Sequence, residues 1–187
     1  VVAQFKAKKN NILPEDTHFI AWTTTPWTLP SNTALAVGPK ITYVLVKTFN
    51  QYTHKAVNLI LAKPLLAKQF NGKYIHVEST DELNYREGDK KIPFFVEKEF
   101  IGSDLVGIEY EQLLSYTLPH EKSENAFKVI KGDFVTTEDG TGIVHTAPTF
   151  GADDAKVAKE AIPEVPPMLV KDENGNLVPL VDLQGKF

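Results

Sequence analysis

The sequence predicts a mixed α/β fold that is mainly β, with short strands in a closed or nearly closed β-barrel and helices at its periphery. Short segments rich in β-branched and aromatic residues recur along the chain, separated by turn-forming residues, whereas only two segments have a helical pattern. Many short strands with few helices are typical of barrels, which have no exposed sheet edge. The length of 187 residues suits one domain.

The first half of the chain is predicted to contain five strands and one short helix. Apolar and polar residues alternate over residues 1–7, and β-branched or aromatic residues dominate 18–25, 41–49, 55–62 and 74–77. Pro26 and Pro30 predict an irregular loop after the second strand. The helix is predicted at 64–70, because proline suits a first helical turn and Asn71-Gly72 suits the end of a helix.

The second half is predicted to contain further strands, one helix and a terminal hairpin. Strands are expected at 92–101 and 108–114, and residues 127–130 and 134–137 flank Gly132. A helix is predicted at 152–161, because its start is acidic and its later part is basic. Asn174-Gly175 predicts a hairpin between 168–171 and 177–181, so that residues 163–187 form an appendage to the single domain 1–187.

Residues 140–154, Gly-Thr-Gly-Ile-Val-His-Thr-Ala-Pro-Thr-Phe-Gly-Ala-Asp-Asp, carry the most chemistry in the chain. Glycines approach a short apolar strand that brings His145 to its end, and Pro148 stops the strand. Asp153 and Asp154 follow at the predicted helix start. A lone histidine is more often structural, and acids at a helix start often only stabilise the helix. The glycine approach and the proline exit favour a pocket position for His145.

Residues 21–32, Ala-Trp-Thr-Thr-Thr-Pro-Trp-Thr-Leu-Pro-Ser-Asn, form the second informative stretch. An isolated threonine run is more simply explained as β-branched filling of a strand. Because Pro26 ends the strand, however, the last threonines are expected at its rim, where their hydroxyls can meet a ligand. Alternation places Thr23 and Thr25 on one side and Thr24 on the other.

Together the two stretches closely resemble the two signature segments of the editing domain that is inserted into isoleucyl-tRNA synthetases. The valyl and leucyl enzymes carry a Thr-Thr-Arg-Pro version of the first segment, whereas this chain has Thr25 at the third position and reads His-Thr-Ala-Pro at 145–148. Both features indicate the isoleucyl branch. A weaker likeness continues through 102–111. The resemblance implies a barrel-like fold.

The resemblance also implies the site residues. The threonines would line the pocket for the aminoacyl ester and the terminal adenosine, Asn32 would help to hold the terminal nucleotide, and Asp154 would bind the α-ammonium group. With Thr25, His145 is expected to bound the side-chain pocket, and a general-base role is the alternative. The expected catalytic residues are Thr23, Thr25, His145 and Asp154. The expected substrate-binding residues are Trp22, Thr24, Trp27, Asn32, Thr146, Ala147 and Asp153.

The implied function is hydrolysis of tRNA(Ile) mischarged with valine, and valyl-adenylate remains open as a further substrate. One alternative is a non-catalytic module that only docks the 3′ end of the tRNA, and another is editing of valyl or leucyl specificity. The implied partners are the 3′ end of aminoacylated tRNA(Ile) and the remainder of a parent synthetase. Because the chain starts at Val1 and lacks His-Ile-Gly-His and Lys-Met-Ser-Lys-Ser motifs, we expect a fragment whose parent binds ATP elsewhere.

Composition limits the other classes of function. The net charge of −4 makes the chain a poor candidate for gripping a whole tRNA, since phosphate contacts dominate such binding. Without cysteine the chain has no disulfide or thiolate site, and with one histidine near the acids we expect no metal and no cofactor. No apolar run is long enough for a membrane span and no secretory signal is visible, so we expect a cytoplasmic protein.

Overall fold

The computed structural model describes every residue from Val1 to Phe187 and contains eleven strands and three short α-helices. The strands are β1 (Val2–Lys6), β2 (Thr17–Trp22), β3 (Ala34–Val37), β4 (Thr42–Phe49), β5 (Ala56–Ala62), β6 (Tyr74–His76), β7 (Ile92–Ile101), β8 (Lys128–Lys131), β9 (Ile143–Thr146), β10 (Leu169–Lys171) and β11 (Leu177–Pro179). The helices are α1 (Leu66–Gln69), α2 (Gly102–Leu105) and α3 (Ala152–Glu160). Short 3₁₀ helices lie at Pro26–Ser31, Lys63–Leu65, Thr80–Glu82 and Ser123–Asn125.

The strands form three separate sheets. The largest has six strands in the order β1-β2-β5-β4-β7-β6 and mixes parallel with antiparallel pairs. The second has the order β8-β3-β9, with β3 parallel to β8 and antiparallel to β9. The third is the hairpin of β10 and β11, which confirms the hairpin predicted around Asn174-Gly175. None of the helices combines the length and the apolar composition that a membrane span requires.

The predicted barrel is wrong, because no sheet closes on itself. The large sheet ends at β1 on one side and at β6 on the other. The strand predicted at 108–114 would have linked β1 to the second sheet, but it pairs only through isolated bridges from Tyr110 to Ala7 and from Glu109 to Lys128. Two single bridges join the sheets without continuing the ladder, so the fold is mixed α/β, mainly β, and open.

Two other sequence predictions, both in the segment that follows β2, differ from the structure. The second strand ends at Trp22 and not at residue 25, because the Thr23 hydroxyl accepts the N–H of Thr25 at 3.0 Å and turns the chain. The loop expected between Pro26 and Pro30 is a 3₁₀ helix that begins at Pro26. Strand β3 and helix α2 were not predicted, and no strand forms at 134–137.

The main hydrophobic core lies between the two larger sheets and positions the site. Phe5, Phe19 and Ile60 of the six-stranded sheet pack in one cluster with Leu35 and Ile143 of the three-stranded sheet. The backbone N–H of Ala62 also donates to the carbonyl of Thr141 at 2.8 Å. The end of β5 thereby fixes the start of β9, which carries His145.

Candidate functional site

A cleft of about 740 Å³ opens where β2 and β9 end. It is lined by residues from three segments of the chain, 22–28, 134–147 and 150–154. The first segment follows β2 and enters the 3₁₀ helix, the second includes β9, and the third is the start of α3. Two stretches that are more than a hundred residues apart in the sequence therefore face each other across one cavity.

The threonine run lies on the β2 side of the cleft. The hydroxyl oxygens of Thr23 and Thr25 are 3.3 Å apart, and the turn that follows Trp22, not the alternation of a strand, brings these two side chains together. Thr23 is buried, Thr25 is half-buried and Thr24 is exposed. The side chains of Trp22 and Trp27 stand at the mouth of the cleft, where they are 45% and 50% exposed.

His145 is buried at the end of β9, and both of its ring nitrogens are hydrogen-bonded. Its Nε2 lies 2.9 Å from the hydroxyl oxygen of Thr28, and that hydroxyl donates its own proton to the carbonyl of Thr25 at 2.9 Å. Its Nδ1 lies 2.8 Å from the side-chain amide nitrogen of Asn32. The same Asn32 nitrogen lies 2.9 Å from the carbonyl of Ala34, which can only accept, so this nitrogen is the donor to Nδ1 and the ring proton is on Nε2, facing Thr28.

Burial lowers the pKa of His145 to about 4, so the ring is neutral at physiological pH. A neutral imidazole with its basic nitrogen occupied by an amide has no free site at which to accept a proton from water. The ring is therefore held as a fixed wall of the cleft.

Asp154 lies in the first turn of α3 and faces the same cleft. Its Oδ2 accepts the backbone N–H of Ala147 at 2.8 Å. Burial raises the pKa of Asp154, the Ala147 contact opposes that rise, and the neighbouring charge of Asp153 adds to it. Asp153 is exposed and also lines the cleft.

The cleft has a strongly acidic lining. Four carboxylates line it, and no lysine or arginine does so; these carboxylates belong to Glu138, Asp139, Asp153 and Asp154. Lys68 of α1 forms an ion pair with Asp139 at 3.1 Å, and Gln69 donates to the carbonyl of Gly140 at 2.9 Å, so that α1 holds this wall in place. An acidic lining attracts a cationic group and repels phosphate.

The structure brings most of the predicted site residues together. Those that line the cleft are Trp22, Thr23, Thr24, Thr25, Trp27, His145, Ala147, Asp153 and Asp154. Asn32 and Thr146 do not line it. Asn32 lies behind His145, and Thr146 is fully buried with its hydroxyl directed at the carbonyl of Val144 at 3.3 Å.

Sequence reasoning missed the residues that support the site. Thr28 lies in the first signature stretch, yet nothing in that stretch marked it as the partner of His145. Tyr110 donates to the amide oxygen of Asn32 at 2.6 Å, but the sequence placed it only in a predicted strand at 108–114 and in the weak likeness over 102–111, without a role in the site. The acidic wall at Glu138 and Asp139 had no signal, because its position depends on the contacts with α1.

A second cavity, of about 630 Å³, lies on the other side of Phe134 and Asp153, which line both cavities. It is bounded by residues of β8 and α3 and contains none of the other predicted site residues. No group of three or more histidine and carboxylate side chains is arranged to hold a metal ion. The cleft beside His145 is thus the candidate site.

Comparison with known sequences finds isoleucine–tRNA ligases. The chain is 58% identical over 188 residues to that of Cytophaga hutchinsonii, an alignment that covers 100% of the chain and 16% of the ligase. It is 41% identical over 174 residues to that of Clostridium tetani, with 92% of the chain and 13% of the ligase covered. The chain therefore spans only a small part of the length of these relatives. No protein-family model matches it.

Comparison with solved structures finds editing domains. The P. falciparum cytosolic leucyl-tRNA synthetase editing domain superposes with a TM-score of 0.52 at 14% identity, over 74% of this chain and 44% of that one. The P. knowlesi cytosolic leucyl-tRNA synthetase editing domain gives a TM-score of 0.52 at 16% identity, over 74% and 49% of the two chains. At such low identity these likenesses concern the fold alone.

Proposed function

Because this chain is a relative of the isoleucine–tRNA ligases over its whole length and has the fold of a synthetase editing domain, we propose that it hydrolyses tRNA(Ile) mischarged with valine. The observation that carries the proposal is the meeting of Asp154, the threonine hydroxyls and a neutral His145 in one cleft. A carboxylate suits the α-ammonium group of an aminoacyl ester, and hydroxyls suit the ester oxygens and an attacking water.

In this arrangement the substrate amino acid enters with its ammonium group towards Asp154. The Oδ2 of Asp154 is engaged by Ala147, and its Oδ1 is the atom assigned to the ammonium. The side chain of valine then lies against Thr25 and His145, and the terminal adenosine lies towards Trp22 and Trp27 at the mouth. The isoleucine side chain, which is one methylene larger, would collide with the fixed ring.

The reaction needs water but no covalent intermediate. Water adds to the acyl carbon of the ester, the bond from that carbon to the ribose oxygen breaks, and the products are free valine and a tRNA with a free terminal hydroxyl. The chain contributes by orienting the ester and by providing fixed dipoles, because its only histidine in the cleft has no free basic nitrogen. Valyl-adenylate presents the same amino-acid portion and is a second candidate substrate.

A selective editing site would compensate for the limited discrimination between isoleucine and valine at the site that activates the amino acid. A hydrophobic pocket that accepts isoleucine discriminates poorly against valine, which is smaller by one methylene, and isoleucyl-tRNA synthetase is itself the standard example of this limit. A second site that admits valine and rejects isoleucine completes the selection. The sequence relatives are isoleucine ligases, which favours this specificity over the valyl and leucyl alternatives.

The acidic lining favours hydrolysis over passive docking of the tRNA end. A module that only grips nucleic acid depends on phosphate contacts, and no cationic side chain lines this cleft. We propose that the remainder of the parent synthetase presents the tRNA, and that residues 1–187 act as one editing domain to which the hairpin of β10 and β11 is appended.

The test is deacylation of valyl-tRNA(Ile) and isoleucyl-tRNA(Ile) by the purified chain, with valyl-adenylate as a third substrate. We expect release of valine from the tRNA well above the rate without protein, and little release of isoleucine. Equal release of both amino acids would contradict the assigned specificity. Release of neither, from a chain shown to be folded, would favour the docking module.

A further inference from the structure

Both polar atoms of the Asn32 side chain are hydrogen-bonded inside the protein, so Asn32 is not presented to a nucleotide in the cleft. It is 3% exposed, and its side-chain nitrogen donates both to the carbonyl of Ala34 at 2.9 Å and to Nδ1 of His145 at 2.8 Å. Its side-chain oxygen accepts the Tyr110 hydroxyl at 2.6 Å. Asn32 therefore faces the back of the His145 ring and not the cleft.

Tyr110 is a fixed donor in this arrangement. Its side chain is fully buried, and its ring packs edge-on against Phe5 and Phe127 at centroid distances of 5.4 and 6.2 Å. Its backbone N–H donates to the carbonyl of Phe127 at 2.9 Å. Burial raises the pKa of Tyr110 well above its usual value, so the hydroxyl keeps its proton.

The donor and the acceptor can be assigned in each hydrogen bond that links Tyr110, Asn32 and His145. The carbonyl of Ala34 can only accept, so the Asn32 atom that faces it is the amide nitrogen, and the Asn32 oxygen faces Tyr110 and accepts its hydroxyl proton. The same amide nitrogen also faces Nδ1 of His145, to which it donates. The ring proton is consequently on Nε2, from which it is donated to Thr28.

We propose that Tyr110 and Asn32 are positioning residues that fix the orientation of the His145 ring and keep its proton on Nε2. The ring is thereby presented to the cleft as a rigid wall, which is what a size limit on the amino-acid side chain requires. The inference rests on the proposed function for its consequence in catalysis. The two linked hydrogen bonds, from Tyr110 to Asn32 and from Asn32 to His145, are called the relay, and the relay can be tested without any hydrolysis.

The first measurement is the ¹⁵N NMR spectrum of the imidazole nitrogens of His145 in the folded chain. We expect a neutral ring protonated at Nε2, with one sharp set of signals. In Asn32→Asp, which has nearly the same shape, a carboxylate replaces the donor, so Nδ1 should become protonated. A wild-type ring protonated at Nδ1, or an Asn32→Asp ring that stays protonated only at Nε2, would overturn the relay.

The second measurement is the ratio of isoleucyl-tRNA to valyl-tRNA deacylation in Tyr110→Phe. This variant keeps the packed ring and removes only the donor, which should loosen His145 and admit the larger side chain. We expect the ratio to rise about tenfold, the factor that roughly 1.4 kcal/mol represents. The His145 signals should broaden in the same variant.

Thr48→Val is the matched control for loss of stability. Thr48 is buried, and its hydroxyl donates to the carbonyl of Pro93 at 2.9 Å between β4 and β7, away from the cleft. Its removal should lower stability without changing the ratio or the His145 signals. If Tyr110→Phe behaves like Thr48→Val in both measurements, the positioning role is refuted. If the wild-type chain hydrolyses neither ester, the proposed function fails, while the NMR spectra still decide for or against the relay.

Discussion

The carboxylate of Asp154 accepts the backbone N–H of Ala147 at 2.8 Å, and this contact ties the start of α3 to the segment that follows β9. Ala147 lies two residues after His145, so the same hydrogen bond sets the distance between the acid and the ring. One oxygen of the carboxylate thus maintains the cleft and the other is directed to the ligand in our proposal. A substitution that removes the charge of Asp154 but keeps an oxygen for Ala147 can therefore separate ligand binding from the structural role of this side chain.

Asp154→Asn should reduce deacylation of valyl-tRNA(Ile) while the fold stays intact. The amide oxygen can still accept from Ala147, but the negative charge that binds the α-ammonium is lost. We expect kcat/KM to fall about tenfold to hundredfold, as for a hydrogen bond to a charged group. Asp153→Asn removes the neighbouring exposed charge and serves as the control, with an expected change of about twofold or less. If the two variants exchange these effects, the ammonium contact belongs to Asp153.

His145→Ala should allow the chain to cleave correctly charged isoleucyl-tRNA(Ile). The ring walls the side-chain pocket, and its removal relieves a collision with the extra methylene that costs roughly 1–3 kcal/mol in a packed site. We expect isoleucine release to rise about tenfold or more, measured beside valine release on the same preparation. Loss of activity on both substrates without this gain would instead indicate a general-base role. Partial unfolding cannot imitate the expected result, because it lowers both rates.

The stability of the chain should fall between pH 6.5 and pH 4 in part because of His145. Burial lowers the folded-state pKa of His145 to about 4 from 6.5, so in this window the unfolded chain binds a proton that the folded chain does not. Above pH 6.5 the ring is neutral in both the folded and the unfolded chain, so its titration does not change the free energy of unfolding. As the pH falls from 6.5 to 4, the free energy of unfolding decreases by up to about 3 kcal/mol, at roughly 1.4 kcal/mol per pKa unit.

Urea unfolding at several pH values, compared between wild type and His145→Ala, isolates this contribution. The lowered pKa of His18 acts in the same direction, and the raised pKa of Asp154 acts in the opposite one; both groups remain in the variant. We expect a shallower loss of stability with acid in His145→Ala. Parallel curves for the two proteins would show that the ring titrates alike in the folded and unfolded states.

Gly142→Ala should destabilise the chain strongly. Gly142 has φ = +74°, and a Cβ atom there would lie 2.3 Å from the Cβ of Ala62 in β5. Gly72→Ala is the matched control, since Gly72 has φ = +57° but nothing within 4 Å of the added atom. We expect losses of about 1–2 kcal/mol at Gly72 from the backbone alone, and of about 3 kcal/mol or more at Gly142. If both variants lose the same free energy of unfolding in urea, β5 must move away from the added methyl group without a measurable loss of stability.

Uncharged tRNA should bind the chain weakly. The net charge is −4, and the cleft presents carboxylates and no cationic side chain to an incoming phosphate. We expect a dissociation constant weaker than about 10⁻⁶ M at physiological salt, with a shallow dependence on salt concentration. Filter binding across a salt series measures both quantities. Nanomolar binding would contradict the view that the rest of a parent synthetase supplies the phosphate contacts.

Local signals along the chain were enough to predict several elements of the fold. Alternation and β-branched residues predicted β1, β4, β5 and β7 close to their observed bounds, and Asn174-Gly175 predicted the terminal hairpin. The acidic start of α3 predicted that helix within one residue of its end. Most of the residues that line the cleft also belong to the two signature stretches, 21–32 and 140–154. The resemblance identified these stretches as one site without showing how the fold brings them together.

Whether the sheets close, and what each site residue contacts, depends on pairing between distant parts of the chain. Strand pairing is non-local, so the segment at 108–114 could pair fully or only through the isolated bridges of Glu109 and Tyr110, and its own residues do not distinguish these outcomes. The roles of Asn32 and His145 were likewise decided by partners 78 and 117 residues away, Tyr110 and Thr28. A hydrogen bond depends on where two side chains meet in space, and that position is fixed by the packing of the two sheets.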